Sequence, residues 1–180
     1  MKKTKEVILG VTGSIASYKA CDIAGSLKKG GFKVTPILTK EALHFITPLA
    51  IQTIAGSRAY LDMFEVPSDY DPVHVSLAEG ASLVLIAPAT ANIIGKLASG
   101  ICDDLLTCVV FATKTPVLIA PAMNENMYRH EIVQGQIEKL KKIGYKFVGP
   151  VKGRLACGRT GLGHIAPTEE IVSHVKRLLK

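Results

Sequence analysis

The chain has 180 residues, 48% hydrophobic and 21% charged, which excludes a disordered segment and supplies enough apolar side chain for one self-sufficient core. Its 22 basic and 15 acidic residues leave a net charge of +7, but the basic positions are scattered and no nucleic-acid-binding signature accompanies them, so phosphate-bearing small molecules are the expected anionic partners. Cys21, Cys102, Cys108 and Cys157 lack CxxC spacing or closely placed histidines, which argues for reduced thiols and against zinc, and no apolar run reaches the ~20 residues of a membrane span or the form of a secretion signal.

In chain order, residues 6–11 are a β-branched apolar run ending in Gly-Ser, and Ala20, Ile23, Ala24 and Leu27 then recur at helical spacing across 15–30. This predicts a strand, a tight turn and a helix stopped by Gly30-Gly31. Residues 33–38 read as a second strand leading to Thr39, with a helix through about residue 54. Continuous apolar runs at 82–87 and 117–120 have the character of strands buried on both faces of a parallel sheet. Helical patterns cover 91–98, 103–112, 131–143 and 167–179, a short strand falls at 146–148, and 149–163 reads as a long irregular piece. Strands alternating with helices predict one domain over residues 1–180, an α/β doubly wound parallel sheet of the Rossmann-like or flavodoxin-like kind. Ligands of such sheets bind beyond the carboxyl ends of the strands, where 12–14, 39–40, 88–92 and 121–127 fall.

Gly10-Val-Thr-Gly-Ser-Ile-Ala-Ser-Tyr-Lys19 places small residues at a strand-to-helix turn. Backbone N–H groups and the positive end of a helix suit a phosphate there, although the segment is neither a Walker loop nor a GxGxxG fingerprint and equally describes a capped helix. Ala87-Pro-Ala-Thr-Ala-Asn-Ile93 offers a second strand end with small side chains and an amide, compatible with a flat ring or with a plain turn capped by Thr90. Asp103-Asp104 is read as compensation of a helix dipole, and Cys21, Cys102 and Cys108 as core residues on helices. His44, His130, His164 and His174 receive no role.

Five motifs occur in order: Gly13-Ser-Ile-Ala16, His74-Val-Ser-Leu-Ala78, Pro88-Ala-Thr-Ala-Asn92, Pro121-Ala-Met-Asn-Glu-Asn-Met127 and Gly153-Arg-Leu-Ala-Cys-Gly158. Together they resemble the homo-oligomeric flavin-containing cysteine decarboxylases, over about residues 7–171. The resemblance implies FMN held by Gly13, Ser14, Ile15, Thr39, Thr90, Ala91, Asn92, Ile93 and Ala122. It implies His74 as catalytic acid or base, Cys157 as proton donor, and Asn124, Met127, Arg154, Ala156 and Ile165 as substrate contacts, the last three through a flexible flap around 149–165. The activity it implies is FMN-dependent decarboxylation of 4'-phosphopantothenoylcysteine to 4'-phosphopantetheine in coenzyme A biosynthesis. The implied setting is cytoplasmic, as a homotrimer or a dodecamer of trimers with flavin sites at subunit boundaries, fed by a separate phosphopantothenoylcysteine synthetase. No metal, nucleic acid or membrane partner is expected. Tyr128 departs from the family, which often carries Trp there. Two further readings stay open: a peptidyl-cysteine, lantibiotic-type oxidative decarboxylase, and a non-catalytic flavin-binding regulatory subunit, although the long acidic tail usual in such subunits does not occur in this sequence.

The reaction explains these residue types. Direct loss of CO2 from a cysteine amide leaves an unstabilised carbanion, and side chains offer no electron sink. Oxidising CH2–S⁻ to a thioaldehyde creates one, flavin takes the hydride, and decarboxylation gives an enethiolate. A free thiol has a pKa of about 8.5, so a base such as His74 helps form the thiolate, although a lone histidine there fits a helix start as well. Asn124 orients a carboxylate without the ground-state stabilisation of a cation. A Cys157 thiol is suited to protonating the enethiolate on carbon. Gly153, Gly158, Gly161 and Gly163, with Arg154 and Arg159, describe a closing lid that attracts phosphate.

Overall fold

β1 (Glu6–Val11) divides its side chains between two cores, as the two-residue period of a strand requires. Val7, Leu9 and Val11 enter one core and Ile8 the other. β3 (Leu83–Ala89) repeats the division, with Leu83, Leu85 and Ala87 opposed to Val84 and Ile86. With β2 (Lys33–Leu38), β4 (Val117–Pro121) and β5 (Lys146–Phe147) they form a parallel sheet in the order β2-β1-β3-β4-β5. This computed structural model describes residues 4–64, 72–154, 158 and 160–180.

Both faces of the sheet are covered, which is why its strands are apolar on both sides. α1 (Lys19–Lys29), α2 (Pro48–Ala55) and α8 (Thr168–Leu178) close the first core. α3 (Val73–Gly80), α4 (Ala91–Ser99), α5 (Leu105–Ala112) and α7 (Glu131–Lys142) close the second. A side chain at Gly10 would begin 2.5 Å from Leu106, so the absence of one lets α5 lie close to β1. The sheet grows outward in opposite directions from β1 and β3, and the crevice between their ends is the switch point of a doubly wound fold. The order is the flavodoxin-like one, as expected.

Several local expectations are corrected. The predicted helix over 15–30 begins as a 3-10 turn (Ile15–Tyr18), because the buried Ser17 hydroxyl lies 2.8 and 2.6 Å from the Thr12 and Ser14 carbonyls and tightens the backbone. The helix expected through residue 54 is interrupted. A 3-10 segment (Lys40–His44) ends, and Thr47 accepts from Ala50 N to cap α2, with Pro48 in its first turn. Residues 149–163 are not wholly irregular: β6 (Val151–Arg154) pairs antiparallel with β7 (Thr160–His164). Cys102 is exposed between α4 and α5, outside any helix or core, while Cys21 and Cys108 are half-buried. Among the described residues no helix is long and apolar enough to cross a membrane.

Candidate active site

The crevice is held by one hydroxyl. Thr12, just beyond β1, is 2% exposed. Its Oγ1 donates to the Pro88 carbonyl at 2.7 Å and accepts from Thr90 N at 3.1 Å, which ties the ends of β1 and β3 together. Thr90 in turn caps α4 by accepting from Ile93 N. Ser14 caps the 3-10 turn by accepting from Ala16 N at 3.2 Å. Gly13 lies against the Glu41 side chain so closely that a Cβ there would overlap it.

A cleft of about 920 Å³ opens over these strand ends, a size suited to a cofactor-sized ligand. Gly13, Ser14 and Ile15 form one side, Thr39 another, and Thr90, Ala91, Asn92 and Ile93 a third. The loop after β4 supplies Ala122, Asn124 and Met127, fixed where Ala122 N donates to the Ala89 carbonyl at 2.9 Å. Asn124 also caps α6 (Glu125–Arg129) by accepting from Asn126 N at 2.8 Å. Arg154, Gly158 and Ile165 approach from the β6–β7 hairpin and the chain that follows it. The root of that hairpin is joined to the cleft wall, because Met123 N donates to the Gly163 carbonyl at 3.1 Å. Gly163 has φ 142° and its Cα faces the Met123 carbonyl, so no side chain fits there. Thr39 Oγ1 is buried without a partner among the described residues, a vacant donor and acceptor at the cleft lining.

Asp104 adds a carboxylate to the lining and organises the start of α5. Its Oδ1 accepts from Thr107 N at 2.8 Å, and its Oδ2 accepts from Lys96 Nζ at 3.0 Å. Lys96 also donates to Asp103 at 2.7 Å, and this bond holds the Asp103 carboxyl below the usual carboxylate range. Burial opposes the Lys96 charge, but its bonds to Asp103 and Asp104 keep its pKa raised. The bond from Lys96 therefore holds the Asp104 side chain in place at the cleft lining.

The flavoprotein family model matches residues 1–180. The chain belongs to the flavoprotein family. It is 43% identical over 172 residues to the coenzyme A biosynthesis bifunctional protein CoaBC of Bacillus subtilis (strain 168), covering 96% of this chain and 42% of that one. It thus spans less than half the length of that relative. A probable phosphopantothenoylcysteine decarboxylase of Streptococcus mutans is 39% identical over 178 residues, covering 98% of this chain and 99% of that one. Among solved structures, a cysteine-to-serine mutant of PPC decarboxylase complexed with pantothenoylaminoethenethiol superposes with a TM-score of 0.87 at 31% identity, covering 97% of this chain and 98% of that one.

In this flavoprotein the cleft gathers every expected cofactor contact, and Asn124, Met127, Arg154 and Ile165 of the expected substrate contacts. His74 sits half-buried in the first turn of α3 and is not among the residues that line this cleft within one chain. α3 leads into β3 and packs through Leu77 and Ala78 into the second core. Ala156 and Cys157 lie outside the described residues, between Arg154 and Gly158, which both line the cleft. Sequence reasoning missed Tyr18, Glu41, Asp104 and His164 as lining residues. For Glu41 and Asp104 the available signal was a carboxylate shortly after, or shortly before, an element end at the ligand-binding edge.

Proposed function

We propose that the chain is an FMN-dependent decarboxylase converting 4'-phosphopantothenoylcysteine to 4'-phosphopantetheine in coenzyme A biosynthesis. The observation that carries this reading is the partnerless Thr39 hydroxyl in a small-residue crevice that also presents Asn124 and the hairpin Arg154. The end-to-end likeness to the Streptococcus mutans relative supports the same reaction. The residues fit a flavin: Gly13, Ala91 and Ala122 leave room for close approach, Thr39, Ser14 and Thr90 offer hydroxyls, and Asn92 offers an amide. When bound, the flavin supplies the hydride acceptor and donor that side chains lack.

The chain's own groups do the rest. Asn124, held by its bond from Asn126 N, orients the substrate carboxylate through an amide and leaves it free to depart. Arg154, Ala156 and Ile165 hold the substrate's amide chain, and closure of 149–165 as a flap excludes water. Cys157 gives a proton to the carbon from which CO2 has left. His74 serves as acid or base toward a neighbouring copy's cleft, a reading its place outside its own cleft lining favours, in a homotrimer or a dodecamer of trimers. Residues 1–180 act as one cytoplasmic domain, supplied by a phosphopantothenoylcysteine synthetase activity.

The test is incubation of the FMN-loaded protein with 4'-phosphopantothenoylcysteine, the product being followed by mass. Loss of CO2 without change in oxidation state is expected. Loss of CO2 together with two hydrogens would instead indicate the oxidative, peptidyl-cysteine type of chemistry, and no reaction would indicate a flavin-binding subunit. Mixing the impaired His74→Asn and Asn124→Asp proteins, assayed at substrate well below the parent KM, should restore part of the activity if sites are shared between copies, and no recovery would refute the sharing.

A further inference from the structure

A second cleft of about 570 Å³ lies between α1 and the start of α8. It adjoins the first: His164 and Ile165 line both. A second seam runs along α1, where Tyr18 lines the first cleft and Lys19 the second, with Lys19 Nζ 5.4 Å from the Tyr18 ring centroid.

The two clefts differ in charge. Among the described residues the first has Arg154 as its one lysine or arginine, against Glu41 and Asp104. The second holds Lys19 and Lys29, with His164 at the junction, against Asp22 and Glu169. Lys19 meets Asp22 only at 3.9 Å, and the Asp22 side chain is 62% exposed, so that pair is easily exchanged for a stronger anion. Lys29 forms no ion pair among the described residues. The α8 start adds uncapped backbone, since Pro167 provides no side-chain cap.

We infer that the second cleft receives the phosphoryl end of the substrate, with Lys19 and Lys29 as counter-ions and the chain crossing at His164 and Ile165. The inference rests on the decarboxylase reading. A substrate with a carboxylate and thiol at one end and a phosphate at the other needs two separated polar sites. The cleft that takes the flavin's own phosphate has little cationic capacity left for a second one. The adjoining cleft has it, across the wall that His164 and Ile165 share.

The experiment compares kcat/KM for 4'-phosphopantothenoylcysteine and for pantothenoylcysteine, using FMN-loaded protein at matched flavin absorbance. The measured quantity is the preference for the phosphorylated compound. Lys29→Ala should lower it about tenfold, the loss of one charge-assisted contact, and Lys19→Ala combined with Lys29→Ala should lower it further. Lys29→Arg should retain most of it, and Asp22→Asn should raise it by removing an opposing charge. A merely structural role would lower both kcat/KM values together and leave the ratio unchanged. An unchanged ratio in the double variant, with decarboxylation continuing, overturns the inference and leaves the decarboxylase reading standing. Failure of the parent protein to decarboxylate either compound overturns both.

Discussion

Thr12→Val removes the hydroxyl that joins the two strand ends while keeping the branched shape and volume of the side chain. Two bonds are lost, one to the Pro88 carbonyl at 2.7 Å and one from Thr90 N at 3.1 Å. Because Thr12 is 2% exposed, water does not readily replace the hydroxyl. Each buried group left unsatisfied costs about 1–3 kcal/mol, so with partial relaxation of the loops the expected loss is about 3 kcal/mol. For a chain of this length that corresponds to a fall in Tm of roughly 6–12 °C. Urea titration of the flavin-free protein should show a lower midpoint with an unchanged slope, which locates the effect in stability and not in compactness. FMN fluorescence titration should show weaker binding as well, since Thr90 and the following residues of α4 lose their registration against Ser14. A Thr12→Val protein within about 0.5 kcal/mol of the parent would show that the loops keep their places without the hydroxyl and would refute the reasoning.

Asn124→Asp keeps an acceptor for Asn126 N, so α6 stays capped and Tm should hold, while KM for the carboxylate substrate rises about tenfold or more from like-charge repulsion; an unchanged KM would remove Asn124 from the substrate site. Cys157→Ser should still release CO2 yet accumulate a product two hydrogens short of the saturated thiol, and full conversion to that thiol on mass analysis would contradict the proton-donor role. Lys96→Met bears on pH dependence. The bond from Lys96 lowers the Asp103 carboxyl in the folded state, so its stabilisation is present above the ordinary carboxylate range and is lost as pH falls through the folded value. The stability gap between parent and Lys96→Met in urea should therefore be widest near neutrality and close on acidification, whereas a gap that does not vary with pH would exclude the pair as its source.

The bounds of β1 and β2 were legible to the residue, because continuous β-branched runs flanked by glycine leave little choice of register. The small-residue side of the cleft was legible for a related reason. Gly13, Ser14, Thr39 and Thr90 are small or polar residues directly after apolar strands, where the fold directs ligands. The hairpin was not, because Val151-Lys-Gly-Arg154 and Thr160-Gly-Leu-Gly-His164 are too rich in glycine and charge to show alternation. Asp104 concealed a second role behind a sufficient first one: an N-cap explains it fully until the cleft is seen to reach it. His74 carries the opposite lesson. Its motif singles out the residue, but the motif does not say whose cleft the residue serves, and only the position of α3 separates it from the crevice of its own chain.

The bond from Met123 to Gly163 sets the root of the hairpin as a haft against the cleft wall. A change at the haft would be felt in the Asn124 loop, since the two share that link. Arg154 and Gly158, carried by the same hairpin, both line the cleft, so the anchored root governs how they meet it. A side chain introduced at Gly163 would therefore unseat the Asn124 loop and Arg154 together.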